Sequence, residues 1–154
     1  MSTTTPKTKP AVQLVLGSQV ITFPLPITVN KLDGTDAQVT FTCKAMRKTA
    51  WAKLRDDYHT TMLRASASRT EEVDSRPTDV DSLVAAVSNN GMHSLVERGL
   101  QTDAELVLQF ATAWDLADDL TADSLAALED EFGGTLAKAI RAYEAAIYQG
   151  RLGN

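Results

Sequence analysis

At 154 residues, with 44% apolar residues and a single cysteine, the chain has material for a hydrophobic core but none for an internal disulfide. Its net charge of −5 is unevenly spread: residues 1–70 carry ten Lys/Arg against four Asp/Glu (+6), and residues 71–154 carry five against sixteen (−11). The acidic half repels phosphate, which argues against nucleic acid as a partner, and no apolar run approaches the roughly 18 residues that would argue for a membrane.

Residues 1–10 are Thr, Lys and Pro without an apolar segment. That excludes a secretory signal there and predicts a disordered tail. The β part is expected over 11–46. Val12 to Leu16 is apolar, Gly17-Ser18 breaks it, and Val20 to Phe23 resumes. Pro24 and Pro26 restrict any strand here to an edge or an entry, because proline has no N–H to give a ladder. Asp33-Gly34 supplies turn chemistry. Val39, Phe41, Cys43 and Ala45 then alternate with Gln38, Thr40, Thr42 and Lys44, which is the period of a strand buried on one face. The pattern predicts an antiparallel hairpin over 27–45, with an earlier strand as a third member.

Beyond residue 46 the period changes to that of helices. Trp51, Leu54, Tyr58, Met62 and Ala65 recur every three or four positions, predicting an amphipathic helix from 48 to about 67. Residues 66–78 are polar and aperiodic, and are expected to be a linker. Thr78 or Asp79 should cap a short helix carrying Val80, Leu83, Val84 and Val87, stopped by Asn89-Asn90-Gly91. Over 92–101, Met92, Leu95 and Val96 suit a helix that Gly99 would end. Thr102 and Glu105 match a capping box, opening a further helix with Leu106, Val107, Phe110 and Trp114. Thr121 or Asp123 should start the next, which carries Leu125, Leu128 and Phe132. Gly133-Gly134 reverses the chain into a last helix striped by Leu136, Ile140, Tyr143 and Ile147. The expected architecture is one α+β domain over 11–154: a β-hairpin or meander, then a bundle of four to five short helices over 47–154.

No grouping of residues favours catalysis or a cofactor. His59 and His93 have no second ligand at metal spacing, and Cys43 falls on the apolar side of its strand. Asp115, Asp118, Asp119 and Asp123 lack the glycine and the distant glutamate of a calcium loop, and suit helix starts better. Glu129-Asp130-Glu131 is expected to be a solvated run. Neither Gly133-Gly134 nor Gly150–Gly153 forms a phosphate loop. The aromatic residues Trp51, Trp114, Phe132, Tyr143 and Tyr148 are expected mainly to pack, with partner binding as their functional role. Tyr148 lies one residue off its helix's stripe and is the natural exposed anchor.

Three segments together resemble the tail assembly chaperones of tailed, siphophage-like bacteriophages. The first is Phe23-Pro24-Leu25-Pro26-Ile27 leading into a strand, a Gly-containing turn and Phe41-Thr-Cys-Lys44. The second is Met46-Arg47-Lys48-Thr49-Ala50-Trp51 opening a helix. The third is Ala113-Trp114-Asp115-Leu116, followed by Thr121-Ala-Asp-Ser-Leu125, Phe132-Gly-Gly134, a helix with Ala139, Ile140 and Tyr143, and Arg151-Leu152-Gly153-Asn154. Ala113 stands where the family usually has Gly, and Phe132-Gly133 where it has Tyr-Pro. The resemblance implies a non-enzymatic protein of the host bacterial cytoplasm. It would bind the tape-measure protein and keep it soluble for tail-tube assembly, with a tail-tube subunit as a further partner and weak homo-oligomers as an accompanying state. Cofactors, membranes and nucleic acid have no part in that reading. The alternative role is a structural tail or head–tail connector component.

Overall fold

The computed structural model describes residues 16–17, 20–73 and 79–150. Two strands come first, β1 (Thr22–Asn30) and β2 (Asp36–Lys44). Helices α1 (Lys48–Val73), α2 (Val80–Asn90) and α3 (Met92–Leu108) follow, then strand β3 (Ala111–Trp114), then α4 (Ala122–Glu131) and α5 (Thr135–Gln149). The strands form one antiparallel sheet in the order β1-β2-β3, so the fold is α+β. The expected strand over 12–16 falls mostly, and the expected tail over 1–10 wholly, outside the described residues.

The hairpin follows from alternation. Leu25, Ile27 and Val29 on β1 are buried with Val39, Phe41 and Cys43 on β2, in a register that sets Leu25 opposite Phe41 and Ile27 opposite Val39. Gly34 takes φ 83° in the turn, a conformation in which a side chain would be strained. The Asp33 carboxylate beside it accepts from the Thr35 N–H at 2.9 Å and the Thr35 hydroxyl at 2.6 Å. Pro24 and Pro26 lie within β1, which among the described residues pairs with β2 alone, and having no N–H to give that ladder they take the positions whose nitrogens face away from β2.

The third strand corrects the sequence reading. Phe110 and Trp114 were expected on a helix. Instead α3 stops at Leu108, the Phe110 carbonyl accepts from the Lys44 N–H at 2.8 Å, and residues 111–114 pair with β2. Leu106, Val107 and Phe110 do point inward, as their spacing requires. What the spacing does not register is the open edge of β2, whose backbone groups offer partners that outcompete one more helical turn. Thr112 bulges out of register, and Asp115 extends the pairing with its side chain as well as its backbone. Its carboxylate accepts from the Thr40 N–H at 2.9 Å, and its N–H donates to the Thr40 carbonyl at 3.2 Å. Asp115 therefore closes a strand rather than starting a helix.

Two helix limits also differ from expectation. α1 continues to Val73, well into the stretch read as a linker, since Ala, Ser, Arg and Glu sustain a helix without an apolar stripe and no Gly or Pro intervenes before Pro77. α3 runs unbroken through Gly99 and Thr102. The Thr102 hydroxyl donates to the Arg98 carbonyl one turn back, so it does not cap a new helix. The other limits agree. The Asp79 carboxylate caps α2 by accepting from the Ser82 N–H at 2.8 Å. Thr121 caps α4 through a reciprocal box with Ser124. Gly134, at φ 88°, makes the reversal into α5. Glu129, expected to be solvated, is half-buried; its carboxylate accepts from the Gly134 and Leu136 N–H groups at 2.6 and 2.7 Å, so it caps α5.

The helices meet the sheet through aromatic rings. Phe110 stacks on Tyr143 at 4.0 Å between centroids, and Trp51 meets both edge-on at 5.7 and 5.0 Å. The Tyr143 hydroxyl donates to the Lys44 carbonyl and accepts from the Met46 N–H, joining α5 to the end of β2. Burial pushes the Cys43 thiol up to about 12 from 9.0. Burial, and then the bond to Asp103, pushes the Tyr58 phenol up to about 12 from 10.0, and burial raises Tyr143 as well. These groups stay protonated in the fold after the unfolded chain has released their protons. Stability is therefore unaffected by them at neutral pH and falls as pH climbs from about 9 toward 12. Denaturant midpoints measured across this range should decline, and Cys43→Ala should delay the onset by about one pH unit, to where phenols titrate.

Candidate protein-docking surface

The apolar stripe of α2 does not enter the core. Val80, Leu83, Val84 and Val87 are 72%, 49%, 59% and 70% exposed and border a shallow depression of about 270 Å³. Their spacing, i, i+3, i+4, i+7, is that of a helix built to bury one side. Burying it would remove several apolar side chains from water, each worth about 1.5–3 kcal/mol when fully covered. Met92 and Val96, at the start of α3, are exposed as well. They line a cleft against α4 with Leu100, Ala126 and Ala127, and Asp130 lies on its border.

A larger groove lies between the second half of α1 and α3. It encloses about 510 Å³, with Met62 and Ala65 on one wall and Leu95 and Gly99 on the other. A depression of about 280 Å³ adjoins it, sharing Thr61, Thr102 and Glu105. The Tyr58 hydroxyl, bonded to the Asp103 carboxylate at 2.6 Å, ties the two helices together beside it. Arg55 pairs with Glu144 of α5 at 3.5 Å and lies over the Tyr58 ring, holding α1 from the other side.

The five aromatic residues singled out from the sequence part company. Trp51 and Tyr143 are fully buried in the ring cluster, with no face left for a partner. Trp114 and Phe132 are half-buried and come together around a cleft of about 290 Å³ with Leu116 and Leu128. There the Trp114 indole N–H donates to the Asp118 carbonyl at 2.6 Å, so Trp-Asp braces the loop before α4. Tyr148 is 41% exposed on α5, consistent with its place off the stripe. Sequence reasoning passed over α2 because its stripe looks like any core stripe. Only the fold shows that nothing among the described residues covers it.

The family model for phage tail assembly chaperones matches residues 11–154. The chain belongs to that family. No curated protein and no solved structure matches it. The match spans the segment between α1 and α3 as well as the three places where the sequence resemblance was legible. Among the described residues, no helix is long and apolar enough to cross a membrane, and no three His, Cys, Asp or Glu side chains converge on a metal site. His59 and His93 are exposed, and His93 lies 3.8 Å from Glu97 of its own helix.

Proposed function

We propose that this tail assembly chaperone binds the tape-measure protein in the host cytoplasm and keeps it soluble until the tail tube forms around it. The α2 face carries the reading: four apolar side chains at helical spacing stand in water beside an acidic set of helices. A tape measure, as the resemblance implies, is a very long helical chain, and bare apolar stripes on such a chain associate wrongly. Covering them helix against helix is the natural remedy. Many weak contacts along one client give avidity while leaving each copy displaceable, with a tail-tube subunit as the displacing partner. On this reading the protein turns over no substrate, and Trp114, Phe132 and Tyr148 form a secondary contact region.

Co-expression with the tape-measure protein tests it. The expected result is a several-fold rise in soluble client, with the chaperone co-purifying. Unchanged solubility and no co-purification would rule the proposal out. Finished virions should lack the protein; its presence there, stoichiometric with tail subunits, would favour a structural component instead.

A further inference from the structure

Gly99 is a glycine the fold does not need. It lies inside α3, where glycine weakens a helix relative to alanine, and its φ is not positive. A Cβ built there meets no atom of the described residues within 4 Å, its own helix's nearby backbone aside. Among the described residues, neither the backbone nor the packing therefore accounts for a missing side chain. What the position does have is the groove. Gly99 lies on its α3 wall, opposite Met62 and Ala65 of α1. A bare backbone on a groove wall is what the close approach of another chain requires.

The same wall suggests the chemistry of that chain. Glu97, Gln101 and Glu105 line the groove four residues apart, so two carboxylates stand in a row two helical turns from each other. Arg98 lines the groove between them and donates its Nε–H to the Ser94 carbonyl of its own helix, so two carboxylates and one guanidinium leave this wall net negative. Residues 79–150 carry thirteen Asp/Glu against three Lys/Arg, so the part of the chain that supplies the α3 wall has the same sign, while α1 opposite is close to neutral. We infer that the α1–α3 groove receives an amphipathic helix of the client, its apolar side against Met62, Ala65 and Leu95, its backbone close over Gly99, and basic residues two turns apart facing Glu97 and Glu105. This rests on the reading that the protein binds a client chain, and adds where one segment sits and what charge it carries.

The test uses the full chain and a synthetic amphipathic peptide of about 18 residues, with Leu at i, i+3 and i+4 spacing and flanking Lys. A second peptide has Glu in place of Lys. The Lys peptide should bind, and the Glu peptide should bind at least about tenfold more weakly. Gly99→Ala should raise the Tm of the free protein by about 2–4 °C while weakening Lys-peptide binding about tenfold, and Gly99→Leu should abolish it. Opposite signs for stability and binding are the signature of a glycine kept for a partner. A stabilised variant that binds the peptide as before overturns the inference, as does a lowered Tm, which would mean the chain's own residues need the space. A Gly99 variant that changes the sedimentation of the protein alone also overturns it, in favour of a second copy in the groove. If Gly99 variants still solubilise the tape measure in full, the groove assignment fails while the chaperone role stands; if the unaltered protein solubilises nothing, the role itself fails.

Discussion

Replacing Leu83 and Val87 on α2 by Asp should abolish solubilisation of the tape measure without unfolding the chaperone. Both side chains are already about half or more in water, so the double variant loses little buried contact. Its stability should stay within about 0.5 kcal/mol of the parent's, the usual range for surface changes. In the complex the same positions would carry two carboxylates pressed against apolar groups, with no donor to meet them. Such burial costs several kcal/mol per charge, enough to weaken binding more than about a hundredfold. The sign is informative as well. If attraction between an acidic chaperone and a basic client were all that mattered, two added negative charges would tighten the complex. Soluble client in co-expression, read beside a thermal melt of the purified variant, separates these outcomes. Retained solubilisation at normal Tm would remove α2 from the interface.

Trp51→Ala should be the most damaging single change to the fold. The indole is fully buried at the start of α1, edge-on to both Phe110 and Tyr143. It is what fastens α1 to the stack between α5 and the sheet. Its loss leaves a large cavity among rings that cannot close around it, at a cost of about 3–5 kcal/mol. Against a typical total of about 5–15 kcal/mol this removes much of the margin. Trp51→Phe should cost far less. The indole N–H is buried without a hydrogen-bond acceptor, so replacing it breaks no bond and relieves an unsatisfied donor. Urea midpoints of the two variants check both statements. A shift for Ala no larger than that for Phe would contradict the picture of the ring cluster as the joint.

The hairpin, α4 and α5 were legible in the sequence because each is specified locally. Alternation sets β1 against β2, Thr121 and Ser124 cap α4, and the stripe of Leu136, Ile140 and Tyr143 is buried as its spacing requires. β3 was hidden because its cause is distant: the free edge of β2, some seventy residues earlier, decides the state of 111–114. The length of α3 was misread for the opposite reason, since Gly99 and Thr102 carry local stop and start signals that a continuous helix overrides. Trp51 and Tyr143 show the limit for function. An aromatic residue at helical spacing reads the same whether it faces a core or a partner, and these two face the core. The α2 stripe is the converse case, a core-like pattern left on the outside.

The prolines of β1 have a bearing on how such a protein can be used in quantity. Among the described residues Pro24 and Pro26 occupy the outer margin of the sheet, at two of the positions where a neighbouring strand would look for donors. Copies lined up side by side along one client would be crowded far beyond their bulk concentration, the condition under which sheets fuse into fibres. With those two hydrogens missing, one molecule makes a poorer template for the next along that margin, and on the proposed role a dense array would come apart more readily into single chains.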